Sequence, residues 1–112
     1  MAPVNQSVVY YLEVEAVCYY GPGTCSTAAT AGVSWVTSDE TVEEVSGQSN
    51  GWTSTVALPP GAFFGFSADL EDGDSATNYI LQCVVNINGV VVASQLARGS
   101  YASASCDGTV PG

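Results

Sequence analysis

The sequence contains no histidine, no lysine and a single arginine, Arg98, among its 112 residues. Without histidine or lysine it cannot build Ser-His-Asp or Cys-His catalytic machinery, a Schiff base, a histidine-ligated metal site or a lysine clamp for phosphate. Hydrolysis by a pair of carboxylates, as in glycosidases, is the one common mechanism that these residue types still permit. We rank this function a distant third, behind the two non-enzymatic functions given at the end of this section. The composition therefore predicts a protein that is not an enzyme, with no catalytic residues and no cofactor.

Positive charge is almost missing, whereas 11 aspartate and glutamate residues give a net charge of −10 at pH 7. Nucleic acids and anionic membrane surfaces are bound chiefly through lysine and arginine, so neither is expected as a partner. The acidity keeps the protein soluble, and a partner attracted by charge would be basic or a cation.

Helical periodicity and long apolar runs are also absent. No segment sustains a 3.6-residue period with caps, so we expect no helix longer than one turn. No run approaches the roughly 20 apolar residues of a membrane span. Residues 1–5 lack both the basic and the apolar region of an export signal.

Short alternating stretches, separated by glycine, proline, aspartate and serine, make up the chain instead. They predict strands over 8–20, 32–38, 41–46, 52–58 and 62–70, and three more between residues 79 and 106. Seven or eight such strands are typical of an antiparallel sandwich or barrel, and we favour an Ig-like β-sandwich. We expect one domain over 1–112, with a flexible lead-in at 1–7 and a flexible tail at 107–112.

The most strongly specified stretch is 79–106. Asn88-Gly89 lies between two apolar runs, and this dipeptide favours a type I′ hairpin turn because both of its residues tolerate a positive φ. The alternation of the preceding strand predicts that Cys83 faces inward, on the same face as four apolar side chains, namely Tyr79, Leu81, Val85 and Ile87. Cys106 then ends the third strand of the unit.

Four cysteines allow three pairings, and we favour Cys83–Cys106 together with Cys18–Cys25, which flank a turn-rich spacer. The short Cys-x2-Cys knuckles of a zinc site are missing. A Cys83–Cys106 bridge would close a loop of about 24 residues and stabilise the fold by roughly 3 kcal/mol. Paired cysteines imply an oxidising compartment. Since no export signal is present, we expect either an excised or mature exported domain, or a chain that reaches the exterior by another route, such as a virion surface.

Two acidic clusters are candidate sites. Asp69, Glu71, Asp72 and Asp74 crowd around a glycine and could supply oxygen ligands to calcium, but their spacing does not match the calcium-binding loop of EF-hands. We therefore favour a solvated acidic turn and no metal. The second cluster, Asp39, Glu40, Glu43 and Glu44, is interpreted as a charged outer face or as protection of a sheet edge.

The aromatic residues divide into two groups. Trp35, Phe64 and Phe66 follow the inward pattern and are expected in the core. Phe63, Tyr19 and Tyr20 fall off that pattern and are candidate contacts for a partner. Arg98, the only base apart from the chain's amino terminus, either pairs with an acidic patch or contacts the partner.

The order of these features resembles the soluble domain of the MmpS family, small mycobacterial and actinobacterial membrane proteins that accompany MmpL-type RND transporters. The resemblance extends over about 8–106. It includes Val33-Ser-Trp-Val, Trp52-Thr-Ser-Thr-Val followed by a Pro-Gly turn, and Phe66-Ser-Ala, and it is most specific between Cys83, before the Asn-Gly hairpin, and Cys106, after Gly99-Ser-Tyr-Ala. Two features differ from the family: its N-terminal transmembrane helix is missing, and Cys18 and Cys25 are additional.

The resemblance implies a disulfide-bridged sandwich outside the cytoplasmic membrane that assists an RND-type exporter of lipids or siderophores. Its partner would then be a membrane transporter. The alternative from another class is a structural surface protein, such as a virion decoration or tail protein, whose partners would be neighbouring subunits of the assembly. The sequence does not identify the ligand, the partner or the oligomeric state.

Overall fold

The structure, a computed structural model, describes residues 5–17, 29–71, 78–99 and 101–111. Within these ranges the chain forms strands and no helix. The predicted strands are confirmed with bounds that differ by a few residues, except that the predicted end of the first strand, 18–20, lies outside the described residues. They are β1 (Gln6–Val17), β2 (Thr30–Val36), β3 (Val42–Gln48), β4 (Thr53–Leu58), β5 (Phe63–Glu71), β6 (Asn78–Ile87), β7 (Val90–Arg98) and β8 (Ser103–Thr109).

The strands form two four-stranded antiparallel sheets that pack face to face. The first sheet has the order β4-β1-β6-β7, and the second sheet has the order β3-β2-β5-β8. The chain changes sheet five times, between β1 and β2, β3 and β4, β4 and β5, β5 and β6, and β7 and β8. The predicted antiparallel β-sandwich of seven or eight strands is confirmed, with eight strands.

The core lies between the inner faces of the two sheets and follows the predicted alternation. The inward set of β6 is fully or almost fully buried, as are Val8, Tyr10 and Leu12 of β1. The turn after β6 has the expected geometry, because Asn88 and Gly89 have φ angles of 52° and 83°. Both values are positive, as the type I′ turn requires.

A disulfide joins the two sheets. Cys83 lies on β6 of the first sheet and Cys106 on β8 of the second, with an S–S distance of 2.08 Å and a Cα–Cα distance of 6.2 Å. Both cysteines are buried in the core. The predicted Cys83–Cys106 pairing is confirmed, whereas Cys18 and Cys25 lie outside the described residues.

The end of the chain belongs to the sandwich. β8 continues to Thr109, and Val110 is only 2% exposed. The backbone N–H of Val110 donates to the carbonyl of Ala62 at 2.8 Å. The expectation of a flexible tail over 107–112 therefore needs correction for 107–110, because β5 supplies backbone partners that the polar composition of this segment does not reveal. The lead-in is shorter than expected as well, since Gln6 pairs with Leu58 in β4.

Gly108 makes close packing against the core possible. It lies opposite Phe64 in the β5–β8 ladder, and a Cβ atom at this position would be 2.9 Å from Phe64 Cζ. Because the Phe64 ring is buried and cannot swing into solvent, Gly108→Ala should lower the free energy of unfolding by roughly 1–3 kcal/mol. Chemical denaturation measures this change. Gly65→Ala is the control: its Cβ would meet the exposed ring of Phe63, which can move, so an equal loss in both variants would contradict the explanation.

Candidate functional site

The candidate contact residues lie on opposite sides of the sandwich. Phe63 is on the outer face of the second sheet and is 54% exposed. Arg98 ends β7 on the outer face of the first sheet, where it pairs with Ile80. The structure therefore does not bring Phe63 and Arg98 into one site. Tyr19 and Tyr20 lie outside the described residues.

The ring of Phe63 lies over Gly65. A Cβ atom at Gly65 would be 3.1 Å from Phe63 Cε1 and 3.5 Å from Val36 Cγ2, so the glycine leaves room for the ring beside Val36. Phe63, Val36, Val42 and Asp107 contribute to the lining of an open groove of about 200 Å³ on this outer face. The groove is mostly apolar and has an acidic residue on its wall.

The described members of the calcium candidate point away from each other. Asp69 accepts a hydrogen bond from Ser103 Oγ of β8 at 2.7 Å. Glu71 accepts one from the backbone N–H of Gly47 in β3, also at 2.7 Å. Because β8 and β3 are the opposite edges of the second sheet, these two carboxylates do not converge. Asp72 and Asp74 lie outside the described ranges, and the residues within those ranges include no cluster suited to a metal ion.

The aromatic core residues form one cluster. The ring centroids of Trp35 and Trp52 are 5.0 Å apart, and those of Trp52 and Phe66 are 5.6 Å apart. Tyr10 extends the cluster, 5.7 Å from Phe66, and donates its hydroxyl to the carbonyl of Val36 at 2.9 Å. Trp35, Phe64 and Phe66 are buried as expected, so these aromatics fill the core.

Burial raises the pKa of Tyr10 to about 12. Between pH 10 and 12 the Tyr10 hydroxyl loses its proton in the unfolded chain but keeps it in the folded protein. Its contribution to the free energy of unfolding is therefore fully present below pH 10 and is lost as the pH rises to 12. At pH 11 this residue should lower the free energy of unfolding by about 1 kcal/mol. Denaturation curves at pH 9 and 11 test this. Tyr10→Phe should show a smaller decrease between these pH values, and an unchanged decrease would contradict the assignment.

Strand β7 of the first sheet exposes apolar side chains that were not among the predicted contact residues. Val90, Val91 and Val92 are exposed at the start of β7, and Leu96 is exposed further along it. Three consecutive valines indicate a strand buried on both faces. They are exposed here because β7 is the edge strand of its sheet.

The four sheet edges differ in how readily they could accept another strand. The N–H of Ala57 in β4 donates to Ser38 Oγ at 3.0 Å. The N–H of Ser105 in β8 donates to Gln95 Oε1 at 2.7 Å. The β6–β7 pairing contains an irregularity between Val85 and Asn86. The β2–β3 pairing is also irregular, between Ala31 and Val33, but its register is regular from Val42 to Val45. Bonded or distorted edges of this kind are poor templates for another strand.

The fourth edge, β3, is exposed on both faces. Every residue from Val42 to Gly47 is exposed, including Val42 at 64% and Val45 at 38%. Glu43 and Glu44 lie between the two valines and point to opposite faces of the strand. The Val-Glu-Glu-Val order gives neither face an apolar set, and this is the sequence signal of a strand that the other sheet does not cover.

The hydrogen-bonding pattern shows which backbone groups of β3 face outward. The N–H of Thr37 donates to the carbonyl of Thr41 at 2.8 Å, which makes the pair next to the turn a hydrogen-bonded one. Antiparallel pairs alternate, so Glu43 and Val45 bond to β2, while Val42 and Glu44 direct their N–H and C=O groups to the free edge. Within the described part of the chain, no side chain bonds the N–H of Val42 or Glu44.

Comparison with known proteins does not assign this chain to a family. No model of a known protein family matches the chain, and no curated protein matches it. Among the residues that the structure describes, no helix has the length and hydropathy needed to cross a membrane. The described part of the chain is an acidic β-sandwich whose two sheets are joined by a buried disulfide. The β3 edge of the second sheet is open.

Proposed function

We propose that this chain is a non-enzymatic interaction domain that acts outside the cytoplasm as an accessory of an RND-type exporter of lipids or siderophores, as the resemblance to the MmpS family implies. The observation that carries the interaction role is the open edge of β3, where no residue that the structure describes bonds the outward backbone groups of Val42 and Glu44. The extracytoplasmic location is supported by the Cys83–Cys106 disulfide, because such bonds persist in oxidising compartments.

The chemistry of the described surface supports a binding role as well. Asp69 and Glu71 are each engaged by a protein donor on opposite sides of β5, so they do not form the pair that carboxylate hydrolysis needs. The whole chain offers no histidine or lysine as an alternative general acid or base. Its exposed valines and phenylalanine provide contact area that a protein partner would bury.

A second candidate is a structural surface protein of a virion or another assembly. It is favoured by the exposed valines of β7, which lie at the opposite side of the sandwich from β3. A subunit with apolar or open edges on two sides could contact a neighbour on each of them.

Deletion of the gene in the native source separates the two candidates. An exporter accessory should reduce the amount of lipid at the cell surface or of siderophore in the medium, and the intact gene should restore it. Unchanged export would contradict the accessory role. Recovery of the chain from purified virions or assemblies in a fixed ratio to their main subunit would instead support the structural role.

A further inference from the structure

We propose that the free edge of β3 binds an extended basic segment of a partner protein, which adds to the second sheet as a fifth strand. This inference rests on the proposed role as an interaction domain and names the surface and the partner chemistry. Strand addition needs free backbone donors and acceptors, and those of Val42 and Glu44 point outward with no partner among the described residues. Strand β2 supports β3 from its other side.

The open part of the edge is short and has a defined end. Ser46 has the same orientation as Val42 and Glu44, but its carbonyl accepts a hydrogen bond from Gln48 Nε2 at 2.8 Å. At the other end, the hydrogen bonds between Thr37 and Thr41 close the turn that joins β2 to β3. The docking segment is therefore centred on Val42–Glu43–Glu44–Val45, which four residues of an added strand would cover.

The side chains of this segment specify what an added strand must carry. Residues in neighbouring strands share a face and contact each other, and opposite charges or two apolar side chains stabilise such pairs. An added strand should therefore place basic residues beside Glu43 and Glu44 and apolar residues beside Val42 and Val45. The resulting order, apolar-basic-basic-apolar, reads the same in both chain directions.

Two open grooves on the outer face of the second sheet begin at β3. The groove that includes Val42, Val36 and Phe63 is apolar and suits an apolar side chain of the added strand. The other groove has a volume of about 410 Å³ and is lined in part by Glu44, Ser46 and Asp69. Because it contains two carboxylates and a serine hydroxyl, it suits the end of a lysine or arginine side chain.

Charge excludes a second copy of the chain as the occupant. The turn before β3 contributes Asp39 and Glu40, which are exposed next to Glu43 and Glu44. The only arginine, Arg98, lies on the outer face of the other sheet. Pairing two β3 edges would bring four glutamates together in a complex with a net charge of about −20, whereas a basic segment would be attracted. The same acidic residues thus disfavour pairing of β3 with the β3 of a second copy and favour a basic partner.

Titration with the peptide Thr-Val-Lys-Lys-Val-Thr at low salt tests this inference, with amide exchange and chemical shifts followed by NMR. Binding should slow the exchange of the Val42 and Glu44 amides at least 10-fold, while the Glu43 and Val45 amides, already bonded to β2, change little. The peptide Thr-Val-Glu-Glu-Val-Thr should not bind. Absence of binding at millimolar concentration, or protection confined to another surface, would overturn the inference.

Two variants distinguish strand addition from general attraction between charges. Glu44→Pro removes a free-edge N–H but no bond to β2, and proline is tolerated on an outward-facing edge position, so the fold should persist while peptide affinity falls at least 10-fold. Glu43→Gln with Glu44→Gln should weaken binding several-fold. The control is Glu13→Gln with Glu15→Gln, the same charge change on β1 of the other sheet. Equal losses in the two double variants would overturn the inference.

The inference and the proposed function can fail separately. If deletion of the gene reduces export and the Glu44→Pro gene restores it fully, the accessory role stands and the β3 surface is wrong. If the peptide protects Val42 and Glu44 while deletion leaves export unchanged, the surface stands and the exporter role is wrong.

Discussion

Reduction of the Cys83–Cys106 disulfide should lower the free energy of unfolding by about 3 kcal/mol and the melting temperature by roughly 12 °C. The bond links β6 of the first sheet to β8 of the second, and its cysteines are 23 positions apart in the sequence, so it restricts the conformations of the unfolded chain. A domain of this size has a total stability of only about 5–15 kcal/mol, and the bond therefore supplies a large share. Chemical denaturation with and without a thiol reductant measures it.

The other two cysteines must be removed for this measurement to be specific. In a Cys18→Ser, Cys25→Ser background, reductant should cause a loss close to that of Cys83→Ala with Cys106→Ala. The variant that lacks all four cysteines should not respond to reductant. A stability that is the same in the oxidised and reduced protein would contradict the structural role of the bond.

Phe66→Ala should cost roughly 3–5 kcal/mol, the range measured when a buried aromatic side chain is truncated. Phe66 is almost completely buried and contacts the rings of Tyr10 and Trp52, which come from the first sheet and from the segment before β4. Its removal would leave a cavity between the sheets, and the surrounding strands, held by their ladders, can close it only in part.

Phe63→Ala is the matched control, because it is the same substitution three residues earlier on the same strand. Phe63 points outward and is 54% exposed, so its loss should cost about 1 kcal/mol or less. Denaturant midpoints of the two variants give the comparison. Similar costs for both would mean that the inner and outer faces of β5 are wrongly assigned.

Local patterns were sufficient to predict most of the fold. Strict alternation in β6 identified its buried face, and Asn88-Gly89 identified the hairpin, because both depend on neighbouring residues alone. The Cys83–Cys106 pairing was favoured among the three that four cysteines allow, and the structure confirms it. The order of strands within the sheets was not predicted, because it depends on contacts between residues distant in sequence.

The exposed surfaces were harder to predict, for a different physical reason. Whether Val42 or Val90 faces solvent depends on which strands lie at the edges, and this is a property of the sheet order. The valines at the start of β7 form the continuous apolar run that is typical of a strand buried on both faces, yet they are exposed. The acidic residues of β3 were interpreted as a charged outer face or as protection of a sheet edge, and β3 is an edge strand. The free backbone groups became visible only with the ladder in place.

The absence of lysine makes one cross-linking experiment unusually selective. A zero-length carbodiimide joins a carboxylate to an amine, and this chain has carboxylates but no lysine amine. Apart from its own terminal amine, it can be linked only to lysines of a partner. Applied to intact cells or assemblies of the native source, the reagent therefore marks the carboxylates that lie against a basic surface.

Mapping these cross-links by mass spectrometry tests the central claim most directly, with chymotrypsin as the protease because Arg98 is the single tryptic site. If the chain is an interaction domain that binds a basic segment at β3, the main links should join Glu43 or Glu44 to lysines of one partner protein. Links spread evenly over the acidic residues, links concentrated on Glu13 and Glu15, or no links to any partner would contradict the account.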